Sequence, residues 1–409
     1  MTTRPDDIVF TGYGLVCPLG DDVSLVADGI RRGQGKPFQT YAEAVELGGR
    51  CQLIGPYDGD VSNGALGISA AQGRFMGRNA RLALKAARSA IARADCGTRD
   101  LAVLVGSASG DMEMHDEVRA KLEKTRSMRK VSPAAVPRLM ASTVSANLST
   151  VLEATGASCS VSAACATGAY NMVLAALLLR SGAIVRALAG GAEAPHVSFY
   201  AGFDSMRALN GEEGADPNRA SRPYAADRQG FIFSEGAGVA ILETRASAEA
   251  RGAEVLGVLA GFGLSSDGSG DMVAPTWSGG LAAMRAALAS ANAEPQDVDY
   301  INTHGTSTPM GDLGEVRAIR ELFGRHIPYS SIKGYTGHSA SGAGAIEAIV
   351  TLEMLRHGWM APSIHARPLD PAIQDYPPVL EPTDLPIRLA LSNSFGFGGT
   401  NTSLALRKA

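Results

Sequence analysis

Apolar residues in this chain follow two rhythms. Some form unbroken runs closed by glycine: Ile8-Val-Phe-Thr-Gly-Tyr-Gly14, Leu101-Ala-Val-Leu-Val-Gly106, and the segment 184–189 ahead of Gly190-Gly191. Runs of that length predict strands covered on both faces. Others recur at roughly helical spacing, as Leu82, Leu84, Ala87 and Ile91 do within 79–94, which predicts a helix there. Helices are predicted likewise at 22–31 and 134–152, whereas 32–70 shows no period and reads as irregular surface.

The alternation continues to the C-terminus. Strands are predicted at 236–243, 255–262, 298–302, 329–333, 388–392 and 402–407, and helices at 245–252, 279–291, 313–323 and 345–356. Such alternation implies an α/β protein with parallel sheets covered by helices. The strand–turn–helix unit around residue 165 matches in layout the one around residue 338. Two similar halves are therefore expected, 1–253 and 254–409, packed as one rigid body without a linker.

Composition narrows the possible functions. The 409 residues carry a net charge of −4 and no basic block, which argues against nucleic acid as a partner. Five cysteines (17, 51, 96, 159, 165) include no Cys-x-x-Cys pair, so neither a disulfide scaffold nor a zinc site is expected, and a reducing cytoplasm fits. No apolar run is long enough to span a bilayer, since Met172 to Leu179 closes on Arg180. The first residues lack an apolar signal core. The expectation is a cytoplasmic protein with no membrane partner.

Candidate chemistry centres on Ser160-Val-Ser-Ala-Ala-Cys165-Ala-Thr-Gly168-Ala-Tyr-Asn171. Small residues flank a cysteine just before a helix-length apolar segment. That predicts a strand, a tight turn, and a thiol near a helix N-terminus, whose unpaired N–H groups lower a thiol pKa. The same letters also suit a small buried core cysteine, so other residues have to decide. Two of seven histidines stand in polar, glycine-bearing loops after strands, in Asn302-Thr-His304-Gly-Thr-Ser-Thr-Pro309 and in Ile332-Lys333-Gly-Tyr-Thr-Gly-His338. His115, His196, His326, His357 and His365 lack such a setting and read as filler. Two further motifs are Tyr224-Ala-Ala-Asp227-Arg228-Gln-Gly-Phe231 and Asn393-Ser-Phe395-Gly-Phe397-Gly-Gly-Thr400.

Together these motifs resemble the β-ketoacyl-[acyl-carrier-protein] synthases of the Cys-His-His class. The resemblance runs from Ile8 to the C-terminus, in family order, with Lys333 and Glu347 at the family's 14-residue separation. The stretches from Asp271 to Pro275 and from Gly311 to Gly324 look closest to type I. The resemblance implies the thiolase fold, a duplicated α/β unit in five α-β-α-β-α layers, usually as a homodimer. It implies Cys165 as nucleophile and His304 and His338 as hydrogen-bond donors to an enolate. Lys333 and Glu347 are implied as a supporting pair, with Asp312 and Glu315 behind them, and the N–H groups of Cys165 and Phe397 as an oxyanion hole. Phe397 is also the implied gate.

Substrate contacts are expected at Thr306, Thr308 and Phe395, and around the acyl tunnel at Ser109, Met112 and Phe203. Ser109 stands where type II enzymes tend to carry a bulky aliphatic. An acidic acyl carrier protein is the implied partner, docking on Arg74, Arg126, Arg129 and Lys130. No cofactor and no metal are implied, because the substrates ride on the carrier's phosphopantetheine arm. Tyr335, the run Ser339-Ala-Ser-Gly-Ala-Gly344 and Trp277 depart from the family's usual letters near the substrate channel. The pathway therefore stays open between fatty acid elongation and a specialised type II polyketide or polyene synthase. A non-catalytic chain-length-factor subunit would lack the nucleophile that Cys165 supplies.

Overall fold

The computed structural model describes residues 4–269, 271–272 and 276–409. Of the type I run at 271–275, residues 273–275 lie outside the described residues. Ten strands form one mixed sheet: β1 (Ile8–Val16), β2 (Leu101–Gly106), β3 (Ser158–Cys159), β4 (Arg186–Glu193), β5 (Gly236–Thr244), β6 (Gly257–Ser266), β7 (Tyr300–Asn302), β8 (Tyr329–Ser330), β9 (Leu389–Gly396) and β10 (Thr400–Arg407). Their spatial order is β8-β7-β9-β10-β6-β1-β5-β4-β2-β3.

Read outward from the centre, the order of the first five strands repeats in the last five. Directions repeat too: β3, β2 and β4 run parallel, as do β8, β7 and β9. β4, β5 and β1 pair antiparallel, as do β9, β10 and β6. At the seam β1 meets β6 antiparallel over three residue pairs, from Ile8 with Leu259 to Phe10 with Gly257. The expected all-parallel sheet is thus corrected to a mixed one. Apolar runs report burial on both faces, and that burial is compatible with either direction.

Six helices cover the sheet: α1 (Arg78–Ala94), α2 (Thr143–Leu152), α3 (Thr167–Arg180), α4 (Trp277–Ala291), α5 (Pro309–Phe323) and α6 (Ala343–His357). α1 and α2 pack outside the first five strands, and α4 packs outside the last five with α5 against it. Between the two sets lie α3 and α6, α6 touching β5 and β4 on one side and β9 and β10 on the other. Five layers result. Every residue of α6 from Ala343 to Leu355 is buried, so this helix has no polar face to show.

Elsewhere the expected elements shift. The segment 134–152 breaks into Ala135–Leu139 and α2. The strand expected to end before Gly190 runs on to Glu193. Two helices, Met112–Thr125 and Val197–Ser205, were not expected. The first buries only Met114, so it carries no apolar stripe to announce it. No helix among the described residues is long and apolar enough to cross a membrane.

Candidate active site

Cys165 does not follow directly on a strand. A loop leads from β3 through Ala163 to the cysteine, and α3 starts two residues later. Ala164 sits in the left-handed region at φ 47°, a conformation uncommon for a residue with a side chain. The surroundings hold it there. Thr167 Oγ1 accepts from the Ala163 N–H at 2.8 Å and donates to the Ala164 carbonyl at 2.8 Å. Asn171 brackets Val161, accepting from its N–H and donating to its carbonyl, each at 3.1 Å. The end of β9 then lies on this elbow. A Cβ at Gly396 would stand 2.9 Å from the Ala163 carbonyl oxygen and 3.3 Å from the Cys165 nitrogen, so only glycine lets the strand come this close. That approach aims the Phe397 N–H at the Cys165 thiol.

The thiol is 4 % exposed. Burial pushes its pKa up to about 12, while the Lys333 charge and the Phe397 N–H act in the opposite direction. The expected lowering is therefore corrected: desolvation of the thiolate outweighs the help from nearby donors.

Both histidines face the same space. The His304 and His338 rings lie 5.3 Å apart, centroid to centroid, at 83°. Phe395 is 5.9 Å from His304 and Phe231 is 5.1 Å from His338. Burial, reinforced by Lys333, holds both imidazoles well below the ordinary histidine value, and His338 adds to the effect on His304. They are neutral at pH 7, and neither buried Nδ1 has a hydrogen-bond partner among the described residues.

A carboxylate frame fixes the His304 loop. Glu315 accepts from the His304 and Gly305 N–H groups, each at 2.9 Å, and from Asn393 at 3.0 Å. Asp312 accepts from Ser307 at 3.0 Å and Tyr224 at 2.9 Å. It also pairs with Arg228 at 3.2 Å, which gives the Tyr224–Phe231 motif a structural place. Lys333 pairs with Glu347 in full burial. Desolvation raises Glu347 to about 7 and Asp312 to about 6, in each case against the pull of a neighbouring cation.

A cavity of about 610 Å³ joins Cys165, His304, Thr306, Thr308, His338, Phe395 and Phe397. The Thr306 and Thr308 hydroxyls are 2.9 Å apart. Exposed Arg207, Met272 and Met310 also line it; Met272 falls in the type I-like stretch that starts at Asp271 and Met310 follows the His304 motif, whereas no sequence pattern pointed to Arg207. The structure does not bring the expected tunnel residues into this cavity. Ser109 instead donates to Glu193 at 2.5 Å, and Met112 starts a surface helix. Phe203 packs 5.7 Å from the Phe397 ring, within a cluster that includes Phe199, Phe231 and Phe233. Arg74, Arg126, Arg129 and Lys130 are exposed and none of them lines the cavity. Among the described residues no cluster of three His, Cys, Asp or Glu side chains is placed to hold a metal ion.

This arrangement supplies a nucleophile, neutral proton donors and backbone N–H groups around one void, which is the equipment of acyl transfer. Comparison with known proteins agrees. The beta-ketoacyl synthase N-terminal domain family matches residues 5–248, and its C-terminal counterpart matches 256–367. The 3-oxoacyl-[acyl-carrier-protein] synthase 1 of Haemophilus influenzae is 37 % identical over 98 % of both chains. A beta-ketoacyl synthase structure from Burkholderia phymatum superposes with a TM-score of 0.92 at 31 % identity, covering 98 % of this chain and 99 % of that one. A type II polyketide ketosynthase solved with its acyl-carrier protein and a bound hexaketide gives 0.89 at 26 % identity, over 99 % of this chain and 100 % of that one. The chain belongs to the β-ketoacyl synthase family, and its fold is the thiolase fold of the ketosynthases.

Proposed function

We propose that this protein is a β-ketoacyl-[acyl-carrier-protein] synthase acting in chain elongation of fatty acid biosynthesis. The observation that carries the reading is the convergence of the Cys165 thiol, two neutral imidazoles and the Phe397 N–H on one cavity. The sulfur of Cys165 attacks the thioester of an acyl carrier protein. Its proton ends on the departing pantetheine thiol, and the N–H groups of Cys165 and Phe397 receive the oxyanion. Donors of this kind are worth ~3–4 kcal/mol each in a dry site.

Malonyl carrier protein then enters. His304 and His338 donate to its thioester carbonyl while the C–C bond to the carboxylate breaks and CO2 leaves. The resulting enolate carbon attacks the acyl-Cys165 carbonyl, and the tetrahedral centre collapses to 3-oxoacyl carrier protein and Cys165 thiolate, which takes up one proton. Neutral imidazoles suit this step, because a second positive charge beside Lys333 would be strongly disfavoured. Lys333, Glu347, Asp312 and Glu315 position the His304 loop. The steps use no cofactor, the substrates being carried on the phosphopantetheine arm.

The remaining assignments complete the reading. Residues 1–253 carry the nucleophile and 254–409 both histidines. Thr306, Thr308 and Phe395 contact the incoming arm, and Phe397, with Phe203 behind it, gates the thiol. Ser109 and Met112, which stand outside the Cys165 cavity, are read as bordering a separate acyl tunnel, and Arg74, Arg126, Arg129 and Lys130 dock the acidic carrier. The protein works as a homodimer in the cytoplasm. A specialised polyketide or polyene synthase would run the same chemistry on another chain, and the likeness to a hexaketide-bound ketosynthase favours keeping that second reading.

One experiment tests the proposal and divides the two pathways. The protein is incubated with a panel of acyl carrier proteins and the species on Cys165 is weighed by mass spectrometry. Saturated chains on Cys165 support the fatty acid reading, and selective loading of oxygenated or conjugated chains the other. No acylation of Cys165 by any carrier would overturn both.

A further inference from the structure

Glu193 closes strand β4 with its carboxylate fully buried. Among the described residues its hydrogen bonds include no cation. It accepts instead from Ser107 Oγ at 3.0 Å, Ser109 Oγ at 2.5 Å, the Ala108 N–H at 3.0 Å and the hydroxyl of Ser341. A buried carboxylate costs free energy unless its oxygens are satisfied, and here four donors satisfy it. They come from two segments far apart in sequence: the turn after β2, and the short turn Ala340–Gly342 that follows His338.

Ser341 is the contact through which this cluster reaches the site. Its hydroxyl also accepts from the Ala108 N–H at 3.1 Å. Its carbonyl oxygen sits where a Cβ on Gly191 would be 2.1 Å away and one on Gly168 2.9 Å away. Gly168 belongs to the first turn of α3, three residues past Cys165. The turn behind His338 is thus wedged between β4 and the start of the cysteine helix, and Glu193 is the group that holds the wedge.

We infer that Glu193 is a positioning residue for the condensation, clamping the Ser341 turn so that His338 keeps its place relative to Cys165. The inference rests on the roles proposed above for Cys165 and His338. Electrostatics supports it: among the charged groups facing the thiol, Glu193 and Glu347 favour the neutral form and Lys333 the thiolate, with the neutral His304 and His338 completing the surroundings. Burial raises the carboxyl pKa of Glu193 itself, so it acts on the site by holding the turn and, at the alkaline pH where the thiol titrates, by its charge as well.

The test compares the parent enzyme, Glu193→Gln, Ser341→Ala and His338→Ala. Two quantities are read: malonyl carrier protein decarboxylation, and the pH dependence of Cys165 alkylation by iodoacetamide. Glu193→Gln is expected to lower decarboxylation about tenfold and to move the alkylation inflection about half a unit or more toward lower pH, because a charge near the thiolate has gone. Ser341→Ala keeps the charge and should lower decarboxylation about tenfold with the inflection unmoved, by loss of a buried hydrogen bond. Ser341→Ala also keeps the idea testable where Glu193→Gln folds poorly. Parent decarboxylation in both variants, with His338→Ala impaired, would overturn the role of Glu193 alone. Parent decarboxylation in His338→Ala would instead overturn the reading beneath it.

Discussion

The Lys333 ammonium donates to the His304 carbonyl oxygen at 2.5 Å, so a side chain from one histidine loop holds the backbone of the other. The same cation stands close enough to disfavour protonation of both imidazoles and to favour the Cys165 thiolate. One buried charge thus biases every titrating group of the proposed reaction.

Replacing it should show in a pH profile. Burial first and Lys333 second keep either imidazole from protonating until well below the ordinary histidine value, so the acid limb of malonyl decarboxylation should lie below pH 6.5 in the parent. In Lys333→Met the repulsion is gone and the limb should move up, while the rate at neutral pH falls about 10–100-fold for loss of a buried charged hydrogen bond. The alkylation inflection of Cys165 should move the other way from that in Glu193→Gln, toward higher pH. An unmoved acid limb would count against the electrostatic role.

The two half-reactions should separate by mutation. His304→Ala or His338→Ala removes one donor from the enolate and should cost ~10²–10³ in decarboxylation. Acyl loading of Cys165 should survive better, since the Phe397 N–H still faces the thiol. Cys165→Ala should abolish loading and condensation. Single-turnover loading, followed by protein mass, checks both.

Gly396→Ala tests the close approach of β9. The added methyl would press on the Ala163 carbonyl and the Cys165 nitrogen, displacing the Phe397 N–H. Loading of Cys165 should slow about tenfold or more, as when one oxyanion donor is misplaced, with thermal stability lowered as well. Loading at the parent rate would show that the donor is not needed.

Glu347 gives a stability prediction. Folding raises its carboxyl from the ordinary 4.5 to about 7. Between those values the native state binds more protons than the unfolded chain, so the stability it contributes is full at low pH and is lost as pH rises through 7. Glu347→Gln cannot titrate. The urea midpoint of the parent should fall relative to that of the variant between pH 4.5 and 7, and parallel midpoints would contradict the assignment.

Much of this was legible in the letters, for physical reasons. Cys165, His304 and His338 stood out because small and glycine residues leave room at turns after apolar runs, and such turns mount reactive groups. Their common cavity followed only from the resemblance, since no local pattern says which loops meet. The left-handed Ala164 left no trace because alanine does not signal φ > 0. The thiol pKa was misjudged because a helix start is local whereas desolvation belongs to the whole fold. Strand direction failed similarly: β5 and β10 are as buried as β4 and β9, which they meet antiparallel, so burial carries no sign of direction. Arg207 stayed hidden as one exposed arginine among many, distinguished only by the cavity it lines.

The repeated strand order has a consequence for where the proposed chemistry sits. α3 and α6 occupy equivalent places in the two copies, and Cys165 and His338 each stand just ahead of one of them. The two starts carry different residues, a cysteine and a histidine. In the proposed reaction one of them holds the growing chain and the other donates to the enolate. In that reading neither half-sheet owns the reaction: it runs across a line of symmetry that the sequence does not keep.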